Sequence, residues 1–177
     1  MAEPAPLSVR LLSEADLQAY KRLRDQMLAR HPEAFTSDAE TERSREAQSY
    51  RTRLAGGAHG SCLFTLVAAD GSELVGAISC ERELRTKVRH IAHIAGMMVL
   101  PRQQGRGIGR QLMDGALQLL KLQAGIELVT LSVTSSNATA VKLYESCGFI
   151  RYGCLQGAIK MTDGSLLDKD LMSRRLG

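Results

Sequence analysis

The stretch "LPRQQGRGIGRQLM", residues 100–113, sets three glycines and three arginines between the end of an apolar run and the start of a helical pattern. Glycine is a poor helix residue, so Gly105, Gly107 and Gly109 at a helix start ask for another reason. A strand that ends in a loop and feeds a helix N-terminus is an anion site. The first N–H groups of the helix have no acceptor within it, and they sit at the positive end of its dipole. Glycine lets a ligand phosphate approach that backbone with no Cβ in the way. Arg102, Arg106 and Arg110 add positive charge that favours phosphate. No Lys-Ser or Lys-Thr follows the last glycine, which excludes a Walker loop, and position 110 is Arg where a dinucleotide fingerprint needs glycine. The bland alternative is a plain glycine-rich turn.

Working outward, "RHIAHIAGMMVL" (89–100) is apolar on both faces and reads as a central, buried strand. The helix after the loop runs to about Gln123 with an apolar stripe at Ile108, Leu112, Ala116, Leu117 and Leu120. "LVTLSV" (128–133) is a further strand, 137–146 a short helix, and 149–161 with 166–176 a hairpin around Asp163-Gly164. Upstream, 62–70 and 73–84 flank an Asp70-Gly71 turn, a strong hairpin signal. "LSVRLL" (7–12) predicts a strand, and Ser13 with Asp16 caps a helix carrying Leu17, Tyr20, Leu23, Met27 and Leu28 until Pro32 stops it. Residues 36–54 read as a loop plus a second helix with a charged face, and "AGGAHG" (55–60) as a flexible link. The order of elements is mixed α/β, one domain over 1–177 with residues 1–6 flexible.

At 177 residues the chain is long enough for a sizeable core. Its net charge of +4 is mildly basic, too weak to argue for nucleic acid by itself. The basic runs 43–53 and 82–89 are interleaved with Glu and hydroxyl residues, and aromatics make up 4% of the chain, so solvated faces rather than a nucleic-acid partner are expected. No run approaches the roughly 18 apolar residues needed to span a bilayer, and "MAEPAPLSVR" lacks the features of a signal peptide. The expectation is a cytoplasmic protein without a membrane partner. Cys62, Cys80, Cys147 and Cys154 form no C-x-x-C pair and read as reduced thiols in or near the core. His90, His93 and Cys80 lack zinc spacing, so no metal site is expected.

"VLPRQQGRGIGRQLM" (99–113) resembles the acyl-CoA pyrophosphate loop of the GNAT superfamily, the acetyl-CoA-dependent N-acetyltransferases. Two frames of its signature fit: Arg102 with Gly105 and Gly107, or Gln104 with Gly107 and Gly109. The second has the family's usual distance from the strand end. A second match, "LSVTSSNATAVKLYESCGFIRYG" (131–153), is similar to the family's strand, Asn, Ala, helical Tyr and Gly-Phe, here Asn137, Ala140, Tyr144 and Gly148-Phe149. The resemblance covers about residues 61 to 175. Upstream of it, "HPEAF" (31–35) is similar to a loop in some small bacterial members.

The resemblance implies a single α/β (α+β) domain. Its central sheet would be mixed, mostly antiparallel, flanked by helices and splayed between the fourth and fifth strands. Acetyl-CoA would lie in that opening, its pyrophosphate on Gln104, Gly105, Arg106, Gly107, Ile108, Gly109 and Arg110, with Ala140 leaving room for the pantetheine arm. The thioester would lie near Met98, Val99, Asn137 and Tyr144, with a backbone N–H near Met98 or Val99 polarising the carbonyl. Tyr144 is the family's general acid by this resemblance, and Asn137 contacts the cofactor.

Acetyl transfer to an amine needs a deprotonated nucleophile, a polarised carbonyl and a proton for the departing thiolate. Tyr144 is of the right type to supply that proton; the alternative is a half-buried core tyrosine. His93 leads as the base, with Glu81, Glu83 or water behind it. Strand alternation would put residues 93, 95, 97 and 99 on one side, unless a bulge at Gly96 breaks the parity. The acceptor expected is a primary amine of a small molecule or amino acid. The alternatives are a protein N-terminus or lysine, or a non-catalytic acyl-CoA-binding module. The assembly expected is a monomer or homodimer.

Overall fold

A computed structural model describes residues 7–56 and 61–177 of the chain. The expectations for 1–6 and for the core of the link at 57–60 lie outside the described residues. One seven-stranded sheet organises the chain, in the order β1-β2-β3-β4-β5-β7-β6. Its strands are β1 (Ser8–Leu11), β2 (Cys62–Asp70), β3 (Glu73–Arg82), β4 (Ile91–Val99), β5 (Leu128–Thr134), β6 (Ile150–Lys160) and β7 (Leu166–Arg175). The helices are α1 (Leu17–Arg30), α2 (Ala39–Arg43), α3 (Ile108–Leu122) and α4 (Ala138–Ser146). Every strand pairing is antiparallel except β4 with β5. The doubly apolar "IAHIAGMMV" therefore takes the fourth of seven places, but only Ala92, Ile94 and Met98 are buried, and the rest of the strand, expected to be buried, is half-exposed.

The helices follow from their stripes. Ile108, Leu112, Met113, Ala116, Leu117 and Leu120 of α3 are buried against the sheet. Tyr20, Leu23, Met27 and Leu28 of α1 are buried in turn. Ser13 and Asp16 form the expected capping box at the entrance to α1.

The predicted second helix is much shorter than 36–54 suggests: α2 has five residues, and a 3-10 segment follows at Ala47–Arg53. The reason is an ion cluster beneath it. Glu42 and Tyr50 turn inward, and the Glu42 carboxylate accepts from Arg24 Nη2 at 3.1 Å, Tyr50 Oη at 2.7 Å and Arg45 Nη1 at 3.0 Å. The expectation for the thiols needs one correction. Cys62, Cys80 and Cys147 are buried, but Cys154 is exposed on β6, the edge strand.

Two features of β4 set up the site. The β3–β4 register slips by one residue between Ser79↔Ala95 and Ala77↔Met98, which places an extra residue in β4. Gly96 has a φ of 61° at that bulge, a left-handed conformation that favours glycine. On the other edge, β4 pairs with β5 at Ile91↔Leu128, Ala92↔Val129 and His93↔Thr130 only. Past His93 the strands diverge, as the expected splay between the fourth and fifth strands requires.

Candidate active site

The divergence opens a cleft of about 850 Å³ between Ile94–Val99 of β4 and Leu131–Thr134 of β5. That is ample for a drug-sized or cofactor-sized ligand. The β5-facing edge of β4 has no strand partner along this length, so its peptide groups face the cleft and are open to a ligand.

The mouth of the cleft is the glycine loop. Gly107 has a φ of 77° and stands as N-cap of α3, and a Cβ built on Gly105 or Gly107 would meet nothing within 4 Å. The backbone there opens onto free space. The N–H groups of Ile108, Gly109 and Arg110 begin the helix without an acceptor inside it. Gly109 serves packing instead: a Cβ would stand 3.1 Å from Leu143 Cδ2 and 3.3 Å from Met97 Cε. Gln104, Gly105, Gly107, Ile108, Gly109 and Arg110 all line the cleft.

The sequence left the arginines as free charge; in the structure each one is paired. Arg102 pairs with Glu73, Arg106 with Asp70 at 2.9 Å, and Arg110 with Asp114 at 2.9 Å. Each guanidinium already has a carboxylate, and Arg102 and Arg106 are not among the lining residues. The groups of the loop with no partner among the described residues include the first backbone amides of α3, at the positive end of its dipole.

At the inner end, Tyr144 lines the cleft on α4 and is 93% buried, its ring edge-to-face with Phe149 at 6.2 Å between centroids. Burial, and then the neighbouring Cys147 sulfur, push its phenol up to about 12, so it holds its proton at neutral pH. Asn137 caps α4, its Oδ1 accepting from the Ala140 N–H at 3.1 Å, and both residues line the cleft. Met98 and Val99 line it too, but on opposite faces of β4. The bulge has broken the simple alternation: His93, Ala95 and Met98 share the α1 side, while Met97 and Val99 turn towards Gly109.

His93 is at the apex, in the last β4–β5 pair, and is not among the lining residues. Its Nδ1 meets Thr130 Oγ1 at 2.5 Å and its Nε2 meets Glu83 Oε1 at 3.2 Å. The result is a row of carboxylate, imidazole and hydroxyl lying across the sheet at the point where the strands part. Glu81 lies on the same face as His93 but is paired with Arg53 at 2.5 Å, away from the opening. Sequence reasoning gave no site role to three ionisable residues that line the cleft: His31, Glu33 and Lys169. The first two belong to "HPEAF", which folds over the opening, and Thr134 Oγ1 ties that loop down by donating to the Glu33 carbonyl at 2.6 Å. Pro32 inside the motif was the signal for a loop at this point; nothing in the sequence aimed it at β5. Among the described residues no group of three or more His, Cys, Asp or Glu is placed to hold a metal ion, and no helix is long and apolar enough to cross a membrane.

The sequence model of the Acetyltransferase (GNAT) family matches residues 21–149. Among curated proteins, a mycothiol acetyltransferase of Beutenbergia cavernae is 33% identical over 153 residues, 84% of this chain and 48% of that protein. An N-alpha-acetyltransferase 30 of Schizosaccharomyces pombe is 29% identical over 89 residues, 50% of this chain and 59% of that protein. The chain thus spans about half the length of the curated relatives it matches. In three dimensions it is similar to an acetyltransferase of the GNAT family from Streptococcus pneumoniae, with a TM-score of 0.80 at 20% identity, covering 97% of this chain and 100% of that one. A putative acetyltransferase from Salmonella typhimurium, solved with its cofactor acetyl-CoA, gives 0.78 at 21% identity, covering 98% and 95%.

Proposed function

The chain belongs to the acetyltransferase (GNAT) family, and on that premise we propose that it transfers an acetyl group from acetyl-CoA to the primary amine of a small molecule or amino acid, by direct attack in a ternary complex. Acetyl-CoA, when bound, supplies an acetyl group activated as a thioester. The observation that carries the reading is the glycine loop at the mouth of a splayed sheet, with a proton-bearing phenol at the inner end.

The fit is physical. The open backbone at Gly105 and Gly107 and the first turn of α3 suit a pyrophosphate, with Gln104, Arg106, Ile108, Gly109 and Arg110 completing the loop. The unpaired edge of β4 at Met98 and Val99 offers peptide groups to the arm and carbonyl, and Asn137 and Ala140 border the same path. Tyr144 Oη holds the proton that the departing thiolate takes. His93 draws the amine proton through Thr130 Oγ1 or a water, while Glu83 orients its far nitrogen. The chain works as one domain in the cytoplasm, whose reducing conditions suit four free thiols.

Thiol release from acetyl-CoA across a panel of amines, amino acids and basic peptides tests the proposal. Turnover on one acceptor class supports it. Binding of acetyl-CoA no tighter than of AMP overturns it.

A protein acceptor is the second reading, favoured by one observation: the partial match to N-alpha-acetyltransferase 30 of Schizosaccharomyces pombe. Release on the basic peptides alone would select it.

A further inference from the structure

Of the arginine and lysine side chains that line the cleft, one has a counter-charge and one has none among the described residues. Arg110 is held by Asp114, and the Glu33 carboxylate faces His31 Nδ1 at 3.3 Å. Lys169 has no carboxylate within 4 Å among the described residues, and its hydrogen bond goes to a neutral hydroxyl, Ser132 Oγ, at 3.4 Å. Of the chain's lysines, Lys169 and Lys21 alone are half-buried, and Lys21 is paired with Asp25 at 2.6 Å. A half-buried ammonium facing an open cleft without an acid is poorly placed for stability.

Its position gives the reason a ligand chemistry. Lys169 sits opposite Thr134 in the β5–β7 register, and Ser132 is two residues along β5, so Ser132, Thr134 and Lys169 share one face. That face is the one roofed by "HPEAF", since Thr134 Oγ1 holds the Glu33 carbonyl. The glycine loop and α3 lie towards the other face, where Met97 and Val99 point. The cation therefore looks into the half of the cleft left for the acceptor, across from the pyrophosphate loop.

We propose that Lys169, with Ser132 Oγ beside it, binds a carboxylate carried by the amine acceptor, which makes the acceptor class an amino acid or another amine-bearing carboxylic acid. The assignment rests on the transferase reading above. One unpaired ammonium and one hydroxyl match a single negative charge with two acceptor oxygens. A phosphate dianion would leave excess negative charge in a cleft that already holds Glu33. Met27 and Phe35 supply apolar wall for the rest of the acceptor. Burial alone disfavours the charged lysine, so an incoming anion also relieves an existing cost.

The test is calorimetric binding, in saturating CoA, of N-acetylglycine, N-acetyl-β-alanine and N-acetyl-γ-aminobutyrate, each against its own amide. These products span three spacings between amide nitrogen and carboxylate. At least one acid is expected to bind ten-fold or more tighter than its amide. Lys169→Met should bring that ratio close to one, and Lys169→Arg, which keeps the charge, should retain most of it. Thermal unfolding of both variants checks that they remain folded. Ratios near one for all three pairs in the wild type, whether both members bind or neither does, overturn the assignment; so does a preference that survives Lys169→Met. Thiol release from the wild type separates the two proposals. Acid-selective binding without turnover of any amine sinks the transferase reading and leaves the carboxylate site standing. Turnover of neutral amines with no acid preference in binding does the reverse.

Discussion

His93 and Thr130 are the last residue pair that joins β4 to β5, and the cleft begins at the next residue of each strand. The pair is also joined through its side chains, Nδ1 to Oγ1, so the imidazole is fixed at the point where the sheet opens. A base in this place works at one remove from the acceptor. His93→Ala is expected to lower kcat by about 10²-fold near neutral pH. The loss should shrink as the pH rises and the amine sheds its proton unaided. Thr130→Val, which keeps the imidazole but removes the relay hydroxyl, should follow the same profile with a smaller loss. A pH-independent loss in both variants would assign the pair to structure alone.

Tyr144 leads to a prediction with a definite sign. Burial raises its phenol to about 12, so the protonated acid is present throughout the neutral and mildly alkaline range. Tyr144→Phe should reduce kcat by about 10²-fold with the KM for acetyl-CoA little changed. Wild-type kcat should show no falling limb from this phenol between pH 7 and pH 10. A limb there that disappears in Tyr144→Phe would mean a phenol of ordinary acidity.

Gly107→Ala separates backbone conformation from space. A Cβ meets nothing within 4 Å, but the φ of 77° strains any residue that carries one, at a cost of about 1–2 kcal/mol. Thermal unfolding should drop by roughly 2–8 °C. Because the strain is at the N-cap, the KM for acetyl-CoA should rise about ten-fold as the loop shifts its amides, with kcat changed far less. An unchanged KM would move the anion site off this loop.

Much of this arrangement was legible before any coordinates. The glycine spacing, the doubly apolar 89–100 and the Asp70-Gly71 turn report local requirements of backbone, and each appears in the fold as a loop, a central strand and a hairpin, although the central strand is less buried than its composition suggests. What the sequence left hidden depends on long-range partners. Arg102, Arg106 and Arg110 looked like free charge, yet Glu73 and Asp70 reach two of them from the β2–β3 hairpin, 29 and 36 residues away in sequence. Lys169 is one lysine in an alternating strand until β5 closes beside it and brings Ser132 within reach. Glu42 read as part of a solvated face because nothing local shows that Arg24, eighteen residues earlier, waits underneath.

That cluster carries the last prediction, about stability rather than chemistry. The Glu42 and Arg24 side chains are 8% and 7% exposed, and Tyr50 Oη and Arg45 Nη1 complete the set around the carboxylate. Burial works against the charged carboxyl, but the hydrogen bond from Tyr50 and the field of Arg24 outweigh it, and Glu42 titrates below the ordinary carboxylate range. A lowered folded-state value means that the contribution is present above the unfolded glutamate's titration and is lost as pH falls through the folded one. Glu42→Gln leaves the Arg24 charge buried without its counter-ion, which should cost about 3–5 kcal/mol at pH 7. The gap between wild type and variant, followed by urea unfolding from pH 7 to pH 3, should narrow towards the acid end as the wild-type carboxylate takes up its own proton. Replacing both partners by apolar residues, Arg24→Met with Glu42→Leu, should recover much of the loss. A double variant as unstable as Glu42→Gln would mean that Tyr50 and Arg45, rather than the ion pair, hold α2 to α1.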